Sequence, residues 1–318
     1  MKKIILFAFI LLCQNLSFSQ TDSTTVSFVA YWSLGDLYEY KVSKIQQQTK
    51  EGKLVKDRKS EYTALFEVID STETSYTISW KYENDLGNNY NIPEALLEKF
   101  EKYKFTEVKY KTSETGEFLE ILNWQEVSTL LSAMIDDIVI VLGAEDKEME
   151  KVLEKSMKPI KAMYATQQGI EKLVIKELQY FHFPMGYEFN TNETLTYVDQ
   201  LPNMFGGNPI KADAKVFFDS VDVDDDFCVF KQELDLDPKD SLELLKLVFK
   251  KMGIADDKFK EALKTSKFEI KDRNTYEYYY YPGLPHRIET ERTSLIDINN
   301  EKGTRVDKTI IELQYQEE

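Results

Sequence analysis

The sequence predicts an α+β protein: a large, curved antiparallel sheet with helices packed on its concave side. Three observations predict it. Glu61–Tyr82 reads as two long arms joined by the polar turn Asp70–Ser75; Tyr76, Ile78, Trp80 and Tyr82 share one face of the second arm, and Thr77, Ser79 and Lys81 the other. Period-two alternation of this kind belongs to a strand with one buried face. The same order, apolar arm, acidic turn, apolar arm, returns at Ala214–Leu234. Finally, 19 Phe, 19 Tyr and 3 Trp gather in alternating segments, where aromatic side chains suit a pleated, half-buried surface.

The elements follow in order. Residues 1–19 read as an export signal: Lys2 and Lys3, the apolar run Ile4–Leu12, and the small-x-small site Ser17-Phe18-Ser19 ahead of Gln20. The run is far short of the roughly 20 residues of a membrane-spanning helix, so no transmembrane segment is expected in the mature chain. Cys13 follows Leu12, where an acylation signal places a small residue, so cleavage at Ser19-Gln20 fits better than lipoprotein anchoring at Cys13. The expected location is the periplasm or outer surface of a Gram-negative bacterium. Residues 20–30 form a leader and 31–123 a first β-rich unit, with a strand at Leu37–Ile45, a glycine turn at Thr49–Gly52, a short helix capped by Asn91, and a hairpin over Phe105–Tyr110 and Glu117–Leu122.

A helical segment, 124–184, comes next. Asn123 and Glu126 have the spacing of a capping box. Val127, Leu130, Leu131, Met134, Ile135 and Ile138 line one helical face. A second helix, Asp146–Lys158, is expected to stop at Pro159, and a third covers Ile170–Gln179. The second β-rich unit, 185–318, holds strands at Tyr187–Tyr197, Ala214–Ser220 and Phe227–Leu234, a helix capped by Asp237 with Pro238 at its first position, a helical turn at Asp257–Lys264, and closing strands from Phe268 to Tyr315. Both β-units run strand, hairpin, short helix, hairpin, an order compatible with duplication and with a half-barrel.

Composition narrows function. The net charge is −16, and no basic stripe exists to displace counterions, which argues against nucleic-acid binding. Cleavage would leave Cys228 alone, so the fold must hold by packing without an internal disulfide. The chain has 2 histidines, with no HExxH run, no GxSxG elbow and no phosphate-cradling glycine loop, so nothing marks an enzyme. In the acidic turn, Asp222, Asp224 and Asp226 are candidate calcium ligands, although the central glycine and distal glutamate of a calcium loop are missing. A hydrophobic ligand would be lined by Tyr38, Tyr40, Phe66 and Trp80 on strands, by Leu131, Met134, Ile135 and Ile138 on the long helix, and by Tyr278 and Tyr280 in the tyrosine run.

Several segments carry a likeness: Trp32-Ser33-Leu34-Gly35-Asp36 ahead of a Tyr-x-Tyr strand, the turn Thr115-Gly116-Glu117-Phe118, and the loop with Leu201-Pro202-Asn203 and Phe205-Gly206-Gly207. In these the chain resembles secreted β-rich proteins of Gram-negative bacteria. Its layout, a long antiparallel sheet interrupted by helices, also resembles periplasmic lipoprotein carriers of the LolA/LolB type, whose curved half-barrel shelters acyl chains. This second likeness is architectural and transfers no residue; it implies a lipid or other hydrophobic small molecule as partner. The expectation is an exported, non-enzymatic protein that binds a hydrophobic ligand in the periplasm or cell envelope. The alternatives are an envelope interaction or scaffold protein with a filled core and, third, a carboxylate-dependent hydrolase.

Overall fold

A computed structural model describes residues 24–83, 94–144, 146–173, 176–201, 208–251, 266–298 and 301–315. The export signal, the Asn91 cap, the motif residues Pro202–Gly207 and the turn Asp257–Lys264 lie outside the described residues. Thirteen strands are described. The first unit holds β1 (Thr25–Ser27), β2 (Leu37–Lys50), β3 (Lys53–Thr72), β4 (Ser75–Glu83), β5 (Phe105–Ser113) and β6 (Phe118–Ile121). The second holds β7 (Glu188–Asn190), β8 (Leu195–Leu201), β9 (Ile210–Asp222), β10 (Phe227–Leu236), β11 (Lys267–Tyr279), β12 (Leu284–Ile298) and β13 (Glu301–Gln314). The helices are α1 (Glu94–Leu97), continued by a 3₁₀ turn at Glu98–Tyr103, α2 (Trp124–Leu142), α3 (Lys147–Tyr164), α4 (Gln167–Leu173), α5 (Lys176–Phe181) and α6 (Pro238–Lys251).

Eleven strands make one antiparallel sheet in the order β6-β5-β4-β3-β2-β13-β12-β11-β10-β9-β8, and β1 pairs with β7 as a separate ribbon. Each β-unit is a meander, and the last strand of the chain joins the two by pairing along β2. The sheet stays open, with β6 and β8 at its edges. It is nevertheless strongly curled. β5 and β11 are six strand steps apart, roughly 29 Å on a flat sheet. Yet the Tyr110 hydroxyl of β5 lies 2.8 Å from His182 Nε2, and the Tyr278 hydroxyl of β11 donates to the Phe181 carbonyl at 3.2 Å. Two tyrosines could not reach adjacent residues across a flat sheet.

The inner face therefore wraps a plug made of two segments. One is the strand-like run from Val26 to Trp32; the other is the end of α5 and the turn after it. Phe181 packs against Tyr40, Phe66 and Trp80, and Phe28 packs against Phe230 and Tyr278. Gly116 and Gly283 let backbone close around the plug. Gly116 holds φ +92°, and a β-carbon on Gly283 would stand 2.5 Å from the Val29 carbonyl oxygen, so both positions call for glycine. Beyond the plug, α6 covers a second cluster on the same face, Ile210, Ala212, Leu234, Leu236 and Ile270. The outer face carries cross-strand ion pairs, among them Lys41–Glu61 and Lys215–Glu233, each at 3.1 Å, and Lys308–Glu289 at 2.7 Å. Such ladders suit water, whereas a lipid-facing wall needs an apolar band.

α2 buries Val127, Leu131, Met134, Ile135, Ile138 and Val139 as its periodicity requires and joins the core beside the plug through β5, the 3₁₀ turn, α3 and α4. Three local expectations change. Asn123 does not close a capping box on the first turn of α2. Its Oδ1 accepts from the Lys109 amide and its Nδ2 donates to the Glu107 carbonyl, tying the helix start to β5. Pro159 lies inside α3, a helix with no buried residue, where water can satisfy the carbonyl that proline leaves unpaired. The strand expected over Tyr187–Tyr197 is split into β7 and β8, which belong to different sheets.

Candidate binding site on the inner face

Most of the aromatic and aliphatic residues expected to line a ligand site are brought together, but into the packed core. Tyr40, Phe66, Trp80, Leu131, Met134, Ile138 and Tyr278 belong to one buried cluster; Ile135 is buried, and Tyr38 and Tyr280 pack at its margin. Side chains of the chain itself fill the space between them. Polar atoms there are satisfied. Tyr40 donates to the Pro285 carbonyl at 3.3 Å and Tyr278 to Phe181. His182 is held at both ring nitrogens, by the Gly116 carbonyl and the Tyr110 hydroxyl, each at 2.8 Å. A carbonyl only accepts, so Nδ1 carries the proton and Nε2 accepts from Tyr110. Burial pushes the imidazole pKa down to about 4, which keeps the ring neutral.

Further along the same strands the register lays out the inner face row by row, from buried rows beside the plug to more open positions beyond. Nearest the plug is an apolar row with Val42, Ile311, Ile288 and Tyr276. Next comes a polar row, Ser60, Lys44, Thr309, Thr290, Asn274 and Gln232, and then a charged one, Arg58, Gln46, Asp307, Arg292 and Asp272. Arg292 grips Asp272 at 2.7 and 2.6 Å, and Arg305 grips Asp307 at 2.6 and 2.8 Å while Gln46 adds a bond of 2.9 Å. Burial works to raise the pKa of Asp307, but the bonds from Arg305 and Gln46 outweigh it and hold the carboxyl below its ordinary range. Lys44 reaches Glu177 of α5 at 2.6 Å, closing the upper rim. Beyond the charged row the face turns apolar again at Ile296 and Phe268.

Two adjoining hollows occupy this surface. One, about 530 Å³, is lined by Lys44, Gln46, Arg58, Ser60, Asp307 and Thr309 among others. The other, about 650 Å³, lies over Gln48, Lys50, Phe268, Ser294, Ile296, Gly303 and Arg305. A register shift beside Gln48 leaves Val55 without a cross-strand partner, and this bulge brings Val55 into the second hollow. α6 packs on β9 and β11. On the β2–β3 side the sheet itself is the wall. The result is a trough with a polar, charged upper part and an apolar lower end, suited to holding a molecule by burial and ion pairing.

The strand pattern carried a signal for this surface: inward positions of β2 pass from Tyr40 and Val42 to Lys44, Gln46, Gln48 and Lys50, so the strand continues after its apolar face ends. The acidic turn is not gathered into a cation site. Asp222 Oδ1 accepts from the Asp224 and Asp225 amides, and among the described residues no three His, Cys, Asp or Glu side chains converge to hold a metal. Among the described residues no helix is long and apolar enough to cross a membrane.

The fold defines an α+β protein with an open, curled antiparallel sheet. No family model and no curated protein matches the chain. Among solved structures it is similar to one of lipovitellin describing lipid-protein interactions, at 10% identity and a TM-score of 0.44, over 89% of this chain and 25% of that one. The chain thus spans a quarter of that protein. Similarities at a TM-score of 0.15 reach Ail, the attachment invasion locus protein of Yersinia pestis, at 5% identity over 89% of this chain and all of that one, and an outer membrane channel from Pseudomonas putida F1, at 9% identity over 90% and 98%. Likenesses this distant transfer no residue and no activity.

Proposed function

We propose that this is an exported, non-enzymatic protein of the cell envelope that binds a hydrophobic small molecule, a lipid or another amphiphile, in the trough. One observation carries the reading: the inner face beyond the plug ends in an apolar floor, Ile296, Phe268 and Val55, which lines a hollow of about 650 Å³. The ligand surface is moved from the aromatic core, which Phe181 and Phe28 already occupy, to this floor. The filled core favours a second reading, an envelope scaffold that binds nothing small. The two separate on one experiment. Protein purified from its own cell envelope is analysed by native mass spectrometry beside Ile296→Asp and Val55→Asp. Retained lipid on the parent, reduced at least about tenfold in both variants, supports binding, since each buried aliphatic side chain is worth roughly 1.5–3 kcal/mol. A ligand-free parent, or ligand retained equally by all three, favours the scaffold.

A further inference from the structure

The open sheet has two edges, and they are built differently. At one edge β6 has 4 residues and a register shift, and the chain turns from it straight into α2. An edge so short offers little to a further strand. At the other edge β8 pairs all 7 of its residues with β9 and shows no shift. Leu195–Leu201 contains no Lys, Arg or Pro, the residues that guard exposed edges. Among the described residues no strand pairs beyond it. Its free backbone groups can be assigned. The Lys211 carbonyl of β9 accepts from the Asp237 amide, on the β10 side. By alternation the even-numbered residues of β9, from Ile210 to Val216, face β8 and bond Leu195, Tyr197, Asp199 and Leu201. Thr196, Val198 and Gln200 therefore turn their amides and carbonyls outward. The Gln200 amide agrees: it donates to the neighbouring Asp199 Oδ1 at 2.7 Å. Val198 is 60% exposed and Leu195 51%.

We infer that β8 is a self-association edge, along which two copies of the chain join antiparallel with Val198 on the two-fold axis. The strand is close to self-complementary in this register. Leu195 stands opposite the second copy's Leu201, Thr196 opposite its Gln200 and Tyr197 opposite its Asp199, so every residue of β8 is paired and the two inner faces stay on one side. An axis at Asp199 would set two carboxylates face to face, which is destabilising. An axis at Tyr197 would leave Gln200 and Leu201 unpaired. With Val198 on the axis, the outward groups of Thr196, Val198 and Gln200 exchange about six backbone hydrogen bonds. Charge also selects this surface. Two chains of net charge −16 repel each other, and Asp199 is the one charged side chain that Leu195–Leu201 brings to the contact. The paired strands span about 24 Å, a small interface, so the dimer is weak and reversible. The contact is independent of what the trough holds.

Sedimentation equilibrium of the full chain over about 5–200 µM is expected to show a monomer–dimer equilibrium that tightens with added salt, as screening lifts the repulsion. Val198→Pro removes one outward amide from each copy and no bond to β9, so it should weaken association at least about tenfold while circular dichroism stays unchanged. Val198→Lys, which sets two ammonium groups face to face, should do the same. Cysteine pairing checks the register. In a Cys13→Ser background the remaining thiol, Cys228, is buried. Val198→Cys then places the two Cα atoms about 5.5 Å apart, within disulfide reach, whereas Leu195→Cys places them about 20 Å apart. Oxidation should yield covalent dimers of the first variant and not of the second. A chain that stays monomeric throughout, a dimer indifferent to both Val198→Pro and Val198→Lys, or equal cross-linking at the two positions would overturn the assignment.

Discussion

His182 should make the protein lose stability as the solution is acidified, in a window where few other groups act. The ring is buried, bonded at both nitrogens, and neutral in the fold. Its pKa falls from 6.5 when unfolded to about 4 when folded. Above pH 6.5 both states carry the neutral ring and there is no penalty. As pH falls below that value the unfolded chain takes up a proton that the folded chain refuses, and folding weakens until the folded ring also titrates near pH 4. At 1.36 kcal/mol for each pKa unit, the loss is about 1.4 kcal/mol by roughly pH 5.5 and about 3 kcal/mol once the folded pKa is passed. Carboxylates held low, Glu61 by the Ser43 hydroxyl and then Lys59 and Lys41, and Glu289 by Lys308 and Arg287, have an unfolded value of 4.5 and withdraw their support only below it. The assay is urea unfolding of the parent and of His182→Gln at half-unit steps from about pH 8 to pH 5. The substitution itself is expected to lower stability at every pH, so the readout is the gap between the curves, which should close by about 2 kcal/mol over the range. Curves that stay parallel would refute the buried neutral imidazole.

Two further outcomes follow from the same core. Burial pushes the Cys228 thiol up to about 12, so the folded protein should resist iodoacetamide at pH 8 and the Cys228 peptide should alkylate fully in guanidinium; rapid labelling of the native chain would show the core open. Gly283→Ala should cost about 2–3 kcal/mol, because φ is +90° and the new β-carbon would meet the Val29 carbonyl oxygen at 2.5 Å. Gly52→Ala, at φ +72° with nothing within 4 Å, should cost only the conformational part, about 1 kcal/mol. Chemical unfolding of both isolates the contact, and equal costs would mean that the 26–32 segment does not press on that turn.

The sheet was legible because its strands alternate. Tyr76, Ile78, Trp80 and Tyr82 point inward as their spacing requires, and the hairpin at Ala214–Leu234 forms as β9 and β10 around its acidic turn. Asp237 caps α6, accepting from the Lys239 and Asp240 amides at 2.8 and 3.2 Å. What fills the sheet was less legible. The plug residues Phe28, Trp32 and Phe181 sit in short, irregular segments where no period accumulates, and their role depends on contacts with strands 100 or more residues away, such as Trp32 Nε1 donating to the Gly283 carbonyl. Helical periodicity in α2 correctly marked a buried face, but periodicity does not say which neighbour buries it. The trough was missed for the opposite reason. Attention to aromatic residues finds what a fold packs against itself, while an open surface is written in positions where the pattern changes.

That change of pattern bears on why the strands are so long. β3 runs 20 residues and β12 15, against the 5–6 usual in globular proteins. The core around the plug uses only part of that length. On the β9–β11 side the remainder is covered by α6, whose Leu244 packs on Ile210, Leu234 and Ile270. On the β2–β3 side the remainder is uncovered: Lys50, Lys53 and Arg58 are exposed, and no described helix packs there beyond the α5 rim. Ordering such strands costs roughly 1–2 kcal/mol of backbone entropy per residue, offset in part by the long ladders β3-β2-β13-β12. A fold that needed only to close its core could stop these strands several residues sooner. The extension instead lays polar rows and the apolar residues Ile296, Phe268 and Val55 along one open surface, the surface on which the proposed ligand site is built.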